Sequence, residues 1–330
     1  MQLIINQQPC EFVSDTLDVP TLLADRGVRE EAIAVAVNGQ VVPRRKWSTV
    51  TLADGDRVEL VKVVAGGDWD DDPLLIAGKS FTSRLLMGSG RFVSPAVLRS
   101  ALEASATEIV TVAIRTTGVD GSGPDAGILA ALDRRRYQLL PNTAGATSVR
   151  QAVFMAELAR EALDTNWVKL EVIGDERTLW PDVSGTVEAT KILVREGFVV
   201  LPYTTTDLVT ALRLEEAGAA TVMPLGSMIG SGQGVQDWDG VRRIAERVGV
   251  PVVVDAGIGA PSDAVRAMEA GADACLINTA ISRSDDPPLM AAAMRQAVIA
   301  GRLGYRAGRM PRSEHAIPSS PVAGLVGAGL

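Results

Sequence analysis

From residue 74 onward, short apolar runs alternate with longer amphipathic stretches. The runs predict β-strands at 84–88, 108–115, 137–141, 167–173, 198–203, 220–225, 251–255 and 274–278. Between them, apolar residues recur at helical spacing over 148–162, 187–196, 208–217, 241–248 and 264–270. Strands that alternate with helices build a parallel sheet. Eight such units over this length suit a (β/α)8 TIM barrel, and a doubly wound open sheet is the competing architecture.

Residues 1–67 follow a different pattern. Leu3-Ile4-Ile5 and Cys10-Glu11-Phe12-Val13 flank Asn6-Gln7-Gln8-Pro9 as a hairpin. Leu17, Leu22 and Leu23 predict a short helix that stops near Gly27. Apolar residues at 34–37, a turn at Asn38-Gly39 and Val41-Val42 predict a second hairpin, and Asp54-Gly55-Asp56 turns the chain into a strand at 57–63. This small α+β unit ends at Ala65-Gly66-Gly67. The charged run Asp68-Trp69-Asp70-Asp71-Asp72-Pro73 reads as a linker. The expected organisation is therefore 1–67, a linker at 68–73, and a barrel with its C-terminal tail over 74–330.

The segment Trp167-Val168-Lys169-Leu170-Glu171-Val172-Ile173 carries the clearest chemistry. Alternate strand residues face opposite sides, so Val168, Leu170 and Val172 share one face and Lys169, Glu171 and Ile173 share the other. The outer face of a parallel barrel buries against helices, which sends the apolar set outward and the amine and carboxylate inward. Desolvation there favours the neutral, nucleophilic amine, and such an amine forms Schiff bases with carbonyl substrates. A structural Lys–Glu pair filling a barrel layer is the plainer alternative.

In such barrels the active site lies at the carboxyl ends of the strands. Those ends bring in Arg115, Asn142 to Ala146, and the small-residue loops at 226–234, 255–259 and 278–279. Small residues let backbone amides approach a ligand, and a helix beginning near Pro261-Ser262 would add its dipole, so a phosphate is the expected occupant. Asp255 closes the run Val252-Val253-Val254 and is placed to exchange protons with an imine on Lys169; a loop-capping carboxylate is its alternative. His315, the sole histidine, lies in a Pro/Ser-rich tail.

Composition narrows the partners. A net charge of −8 and a pI near 4.9 argue against nucleic acid and anionic membranes. Two cysteines are too few for a disulfide framework or a thiolate metal site. Neither a transmembrane run nor a signal sequence is visible, and a cytoplasmic protein without metal is expected.

These motifs together resemble the thiazole synthases of the thiamine pathway over nearly all of 73–325. The segments that carry the likeness are Leu85-Leu86-Met87-Gly88-Ser89-Gly90, Leu140-Pro141-Asn142-Thr143-Ala144-Gly145-Ala146, Lys169-Leu170-Glu171-Val172-Ile173, Met223-Pro224-Leu225-Gly226, Ile229-Gly230-Ser231-Gly232-Gln233-Gly234, Val254-Asp255-Ala256-Gly257-Ile258-Gly259 and Ile277-Asn278-Thr279-Ala280. Residues 1–67 resemble the ubiquitin-like sulfur carrier of the same pathway, a β-grasp fold with a Gly-Gly end.

The resemblance implies a cytoplasmic, sulfur-transferring transferase with no cofactor, self-associating as a homo-oligomer. It would condense 1-deoxy-D-xylulose 5-phosphate, dehydroglycine (2-iminoacetate) and a carrier thiocarboxylate into the thiazole phosphate carboxylate. Lys169 would form the imine, Glu171 and Asp255 would move protons, and Gly230, Ala256, Gly257, Asn278 and Thr279 would bind substrate and its phosphate. Gly66 and Gly67 would be the carrier terminus. The implied partners are a dehydroglycine-producing enzyme and either a carrier-adenylating enzyme or a separate thiocarboxylated carrier. The sequence departs from the family pattern at Arg115-Thr116-Thr117 and around Pro181-Asp182-Val183-Ser184-Gly185. A Schiff-base aldolase for sugar phosphates and a non-catalytic docking fusion are the rival readings.

Overall fold

Hydrophobic alternation in the first residues folds into the expected hairpin: β1 (Gln2–Ile5) pairs antiparallel with β2 (Gln8–Glu11). The computed structural model describes residues 1–62 except 7, 13, 15 and 27–32, then 72–113, 132–317 and 319. Two units make up the chain, Met1–Asp72 and Pro73–Leu330. In the first, Leu17 does not open the helix. It lies in a two-residue strand, β3 (Leu17–Asp18), and Asp18 caps α1 (Val19–Asp25) by accepting from the Thr21 amide at 2.9 Å.

Next, β4 (Ile33–Val37) and β5 (Gln40–Val42) turn through Asn38 and Gly39, both at positive φ, as a tight hairpin requires. β6 (Thr51–Leu52) pairs with β3, and β7 (Arg57–Lys62) lies parallel to β1 and antiparallel to β4. The sheet order β2-β1-β7-β4-β5 packs Leu3, Val35 and Val58 against Val19, Leu22 and Leu23 of α1. This is a β-grasp arrangement. Gly66, Gly67 and most of the linker lie outside the described residues, as does Arg115.

The second unit opens with a hairpin, β8 (Leu74–Ile76) and β9 (Lys79–Phe81). The alternating elements follow: β10 (Leu85–Gly88), α2 (Pro95–Ser105), β11 (Ile109–Ala113), β12 (Gln138–Asn142), α3 (Val149–Leu163), β13 (Trp167–Leu170), a small hairpin of β14 (Ile173–Asp175) and β15 (Trp180–Pro181), α4 (Val183–Arg195), β16 (Val199–Thr204), α5 (Leu208–Glu216), β17 (Met223–Pro224), α6 (Trp238–Ala245), β18 (Val253–Asp255), α7 (Pro261–Glu269), β19 (Ala274–Ile277), α8 (Thr279–Ser282) and α9 (Pro287–Ala307). Eight strands run parallel in the order β17-β16-β13-β12-β11-β10-β19-β18. Parallel bridges from Val222 to Val252 and from Leu225 to Asp255 join the two ends. The sheet closes on itself, which excludes the open doubly wound alternative and gives the TIM barrel.

Several elements differ from the sequence expectation; β2 begins at Gln8, inside the expected turn, and the run over 220–225 keeps only two residues as β17. The strand expected over 167–173 ends at Leu170, and Ile173 pairs instead with Pro181 in the β14–β15 hairpin while still lining the cavity side. α4 begins at Val183 rather than near 187, since Asp182 accepts from the Ser184 and Gly185 amides at 3.1 and 3.0 Å. The 21-residue α9 has no counterpart in the expected set, although Asp286 before Pro287-Pro288 marks its start and Gly308 its end.

Inward positions sort into layers. Leu86, Ile109, Leu140, Trp167, Leu201, Val253 and Leu276 form one buried apolar cluster inside the barrel, and Leu74, Ile76 and Phe81 of the first hairpin join it. The Phe81 and Trp167 rings meet edge-on at 5.9 Å. Two residues further along each strand come Gly88, Thr111, Asn142, Lys169, Tyr203, Asp255 and Asn278. The strand period of two therefore stacks a polar layer on an apolar one. Val168, Leu170 and Val172 pack outward against Ala152, Ala156, Ala189 and Leu193. Among the described residues no helix is long and apolar enough to cross a membrane.

Candidate active site

Lys169 lies at the centre of the polar layer with its side chain 7% exposed. Its Nζ is 2.6 Å from Asp255 Oδ2 and 3.2 Å from Glu171 Oε1, and each carboxylate side chain is 5% exposed. The inward face predicted for Lys169 and Glu171 holds, even though Glu171 follows the end of β13. A neighbouring loop extends the strand there. Thr143 Oγ accepts from the Glu171 amide and donates to the Glu171 carbonyl, both at 2.8 Å, and the Thr143 amide donates to the Lys169 carbonyl at 3.1 Å.

Desolvation does not leave this lysine neutral. Burial alone pulls the Lys169 ammonium down, but Asp255 and Glu171 together outweigh it and hold the group above the ordinary lysine range. The resting side chain is an ammonium clamped between two carboxylates. Tyr203, absent from the sequence-derived set, completes the enclosure: it is fully buried, and its ring centroid lies 5.7 Å from Lys169 Nζ. Burial, then the charges of Asp255 and Glu171, pushes its phenol above the ordinary tyrosine range. The signal for Tyr203 was its place two residues after the apolar Leu201, on the same face as the lysine.

Above this floor opens a cavity of about 580 Å³. Lys169, Glu171, Asp255, Gly230, Ala256, Gly257, Asn278 and Thr279 all line it, so the chain brings every predicted barrel-site residue to one place. Thr111, Asn142, Arg91 and Arg283 line it too. Gly88 lets Asn278 cross beneath: a Cβ there would lie 2.5 Å from Asn278 Cβ. With its amide nitrogen turned inward, Asn278 donates to the Gly88 and Gly90 carbonyls at 3.2 and 3.0 Å. Ala256 and Gly257 follow Asp255 with φ of 66° and 77°, a reversal that carries the chain sharply away from the strand.

Gly257 lines the cavity and also lets two loops pack, because a Cβ there would sit 2.5 Å from the Ser227 amide nitrogen. One expectation about the anion loops needs correction. The helix after strand seven does begin at Pro261, but it holds its own counter-charge. Asp263 accepts from the Gly259 and Ala260 amides, both at 3.0 Å, so these amides are already occupied. Gly230 faces open space: at φ 72° a Cβ would meet only Thr279 Oγ1, at 3.9 Å. His315 is exposed and is not among the cavity-lining residues.

Comparison with known proteins places this geometry. The family described as "Thiazole biosynthesis protein ThiG" matches residues 75–321, and the ThiS family matches residues 3–67. A protein named thiazole synthase from Paramagnetospirillum magneticum is 44% identical over 327 residues, covering 99% of this chain and all of the relative. A thiazole synthase from a Methylobacterium species is 55% identical over 258 residues, covering 78% of this chain and 96% of that protein. The crystal structure of an Amycolatopsis orientalis BexX/CysO complex superposes with a TM-score of 0.67 at 36% identity, covering 74% of this chain and 100% of the matched one. A closed barrel with this polar layer, following a β-grasp unit, thus belongs to the ThiG family of thiazole synthases in thiamine biosynthesis, with a ThiS-family domain at its N-terminus.

Proposed function

We propose that the cavity condenses 1-deoxy-D-xylulose 5-phosphate, the glycine-derived imine 2-iminoacetate and the sulfur of a carrier thiocarboxylate, and that Lys169 holds the ketose as an imine. The observation that carries this reading is the buried ammonium between two carboxylates at the base of the cavity. To attack the ketose carbonyl carbon, Lys169 must first lose a proton. Asp255, at 2.6 Å, is the acceptor. Nitrogen then bonds to carbon and passes a second proton to the carbonyl oxygen; the hydroxyl so formed takes back the proton held by Asp255 and departs as water. The resulting protonated imine carries the same single positive charge as the resting ammonium. The field that makes deprotonation costly therefore stabilises the intermediate without reorganisation.

With the imine in place, its positive charge acidifies the adjacent C–H. Glu171 and Asp255 flank the nitrogen and can take and return protons as the carbonyl moves along the sugar. Gly230, Ala256-Gly257 and Asn278-Thr279 offer backbone for the substrate phosphate. In this reading residues 1–67 form a sulfur-carrier domain, 68–73 a linker and 74–330 the synthase with its tail. The ThiS-family match and the two-component complex among the solved relatives support a carrier as partner.

Borohydride reduction tests the imine. Incubated with the ketose phosphate and borohydride, the full chain should gain a reduced sugar-phosphate mass on the peptide containing Lys169. An unmodified Lys169, or equal labelling of a Lys169→Ala variant, would overturn the reading.

A further inference from the structure

Five charged side chains line the cavity. Lys169, Glu171 and Asp255 form its buried floor, whereas Arg91 and Arg283 are exposed. The floor by itself carries one net negative charge. A phosphate ester and a carboxylate would both be repelled by it. The two arginines reverse the sign and leave the lined space with one net positive charge.

Their placement is specific. Arg91 follows Gly90 on the loop after β10, and the carbonyls of Gly90 and of Gly88, the last residue of β10, accept from Asn278. Arg283 ends α8, which begins at Thr279. β10 and β19 are hydrogen-bonded neighbours, so the two loops rise side by side. Arg91 sits at φ 70°, a region that long-chain L residues seldom occupy. Among the described residues neither guanidinium has an ion pair or a side-chain hydrogen bond. At the other end of the barrel, by contrast, Arg84 and Arg302 both pair with Asp273.

We propose that Arg91 and Arg283 form an anion subsite that holds an oxyanion group, phosphate or carboxylate, of a substrate bound over Lys169. The inference rests on the imine reading for its substrates and adds the residues that select them by charge. A planar guanidinium presents parallel donors to two oxygens, so lysine at either place supplies the charge without the fork. Phosphate of the ketose and carboxylate of the glycine-derived imine share this chemistry, and the two sources separate experimentally.

The test uses the full chain with R91Q, R283Q, the double variant, and R91K and R283K. Two half-saturating concentrations are measured: ketose phosphate in borohydride trapping, and 2-iminoacetate, generated from glyoxylate and ammonium, in turnover with a separately supplied thiocarboxylated carrier. The double variant should raise at least one of them about tenfold or more, the scale of losing a hydrogen bond to a charged group. Trapping at saturation and the melting temperature should stay near wild type, and the lysine variants should fall between. A rise in ketose trapping assigns the phosphate; a rise confined to 2-iminoacetate assigns the carboxylate. Unchanged half-saturation for both substrates in a folded double variant overturns the proposal. If wild-type Lys169 is never trapped, the imine reading fails instead. Calorimetric titration of wild type and double variant with each substrate then decides the arginines separately: equal affinities refute the subsite.

Discussion

The most consequential residue is Lys169, and its energetics can be checked apart from catalysis. Two carboxylates 5% exposed share one ammonium. Removing one partner of a buried ion cluster destabilises by about 3–5 kcal/mol, because the remaining charge is left uncompensated. Lys169→Met keeps the volume and should lower stability by that amount near neutral pH, read from denaturant midpoints. The folded Lys169 pKa is raised, so its stabilisation is complete below the unfolded value of about 10.4 and lost only as pH rises through the folded one. A Lys169→Met protein as stable as wild type near neutrality would show that the triad contributes nothing to the fold. Lys169 and Glu171 were legible in the sequence because alternation fixes their faces, and Asp255 because it closes an apolar strand run. The charge state of the lysine was not, because Asp255 comes from a strand 86 positions away in the sequence and only closure brings it to 2.6 Å.

At the scale of elements, strand position was legible and strand ending was not. All eight barrel strands lie within the predicted runs or overlap them by all but a residue, since an apolar run flanked by turn residues is a local signal. The end of β13 is set by Thr143, a residue of the neighbouring loop, through paired hydrogen bonds to the Glu171 backbone. No local pattern announces that contact. Thr143→Val preserves shape and removes both bonds. It should destabilise by roughly 1–3 kcal/mol for each buried backbone group left unsatisfied. It should also slow borohydride trapping at saturating ketose, because Glu171 loses its fixed place beside Lys169. A folded Thr143→Val protein with wild-type melting and trapping would show that the strand end is held by other means. The anion loops teach the same lesson: glycines at 257 and 230 read alike in sequence, yet one packs against Ser227 and the other faces open space.

At the scale of the whole molecule, the two family matches leave only residues 68–74 between them, and the alignment with the Paramagnetospirillum relative spans both. This tandem arrangement raises a chemical difficulty. On the reading proposed above, the carrier would be loaded by activating its terminal carboxylate, which would become the thiocarboxylate. In this chain the Gly67 carboxyl is already committed to a peptide bond with Asp68. An amide carbonyl has no free oxygen anion to attack an activating nucleotide, so the intact chain cannot be loaded at Gly67. The prediction is that the protein is cleaved after Gly67 where it makes thiazole, or that the synthase draws sulfur from a separately encoded carrier. The charged, proline-ended stretch from Asp68 to Pro73 has the composition of an accessible cleavage site. Intact-mass analysis of the protein from its native host should therefore show a fragment ending at Gly67. If only full-length chain is found, turnover should depend on added, thiocarboxylated carrier. Full-length chain that accepts sulfur at Gly67 and makes thiazole with no other carrier would refute both branches, because it would require activation of a carbonyl that the sequence places inside the chain.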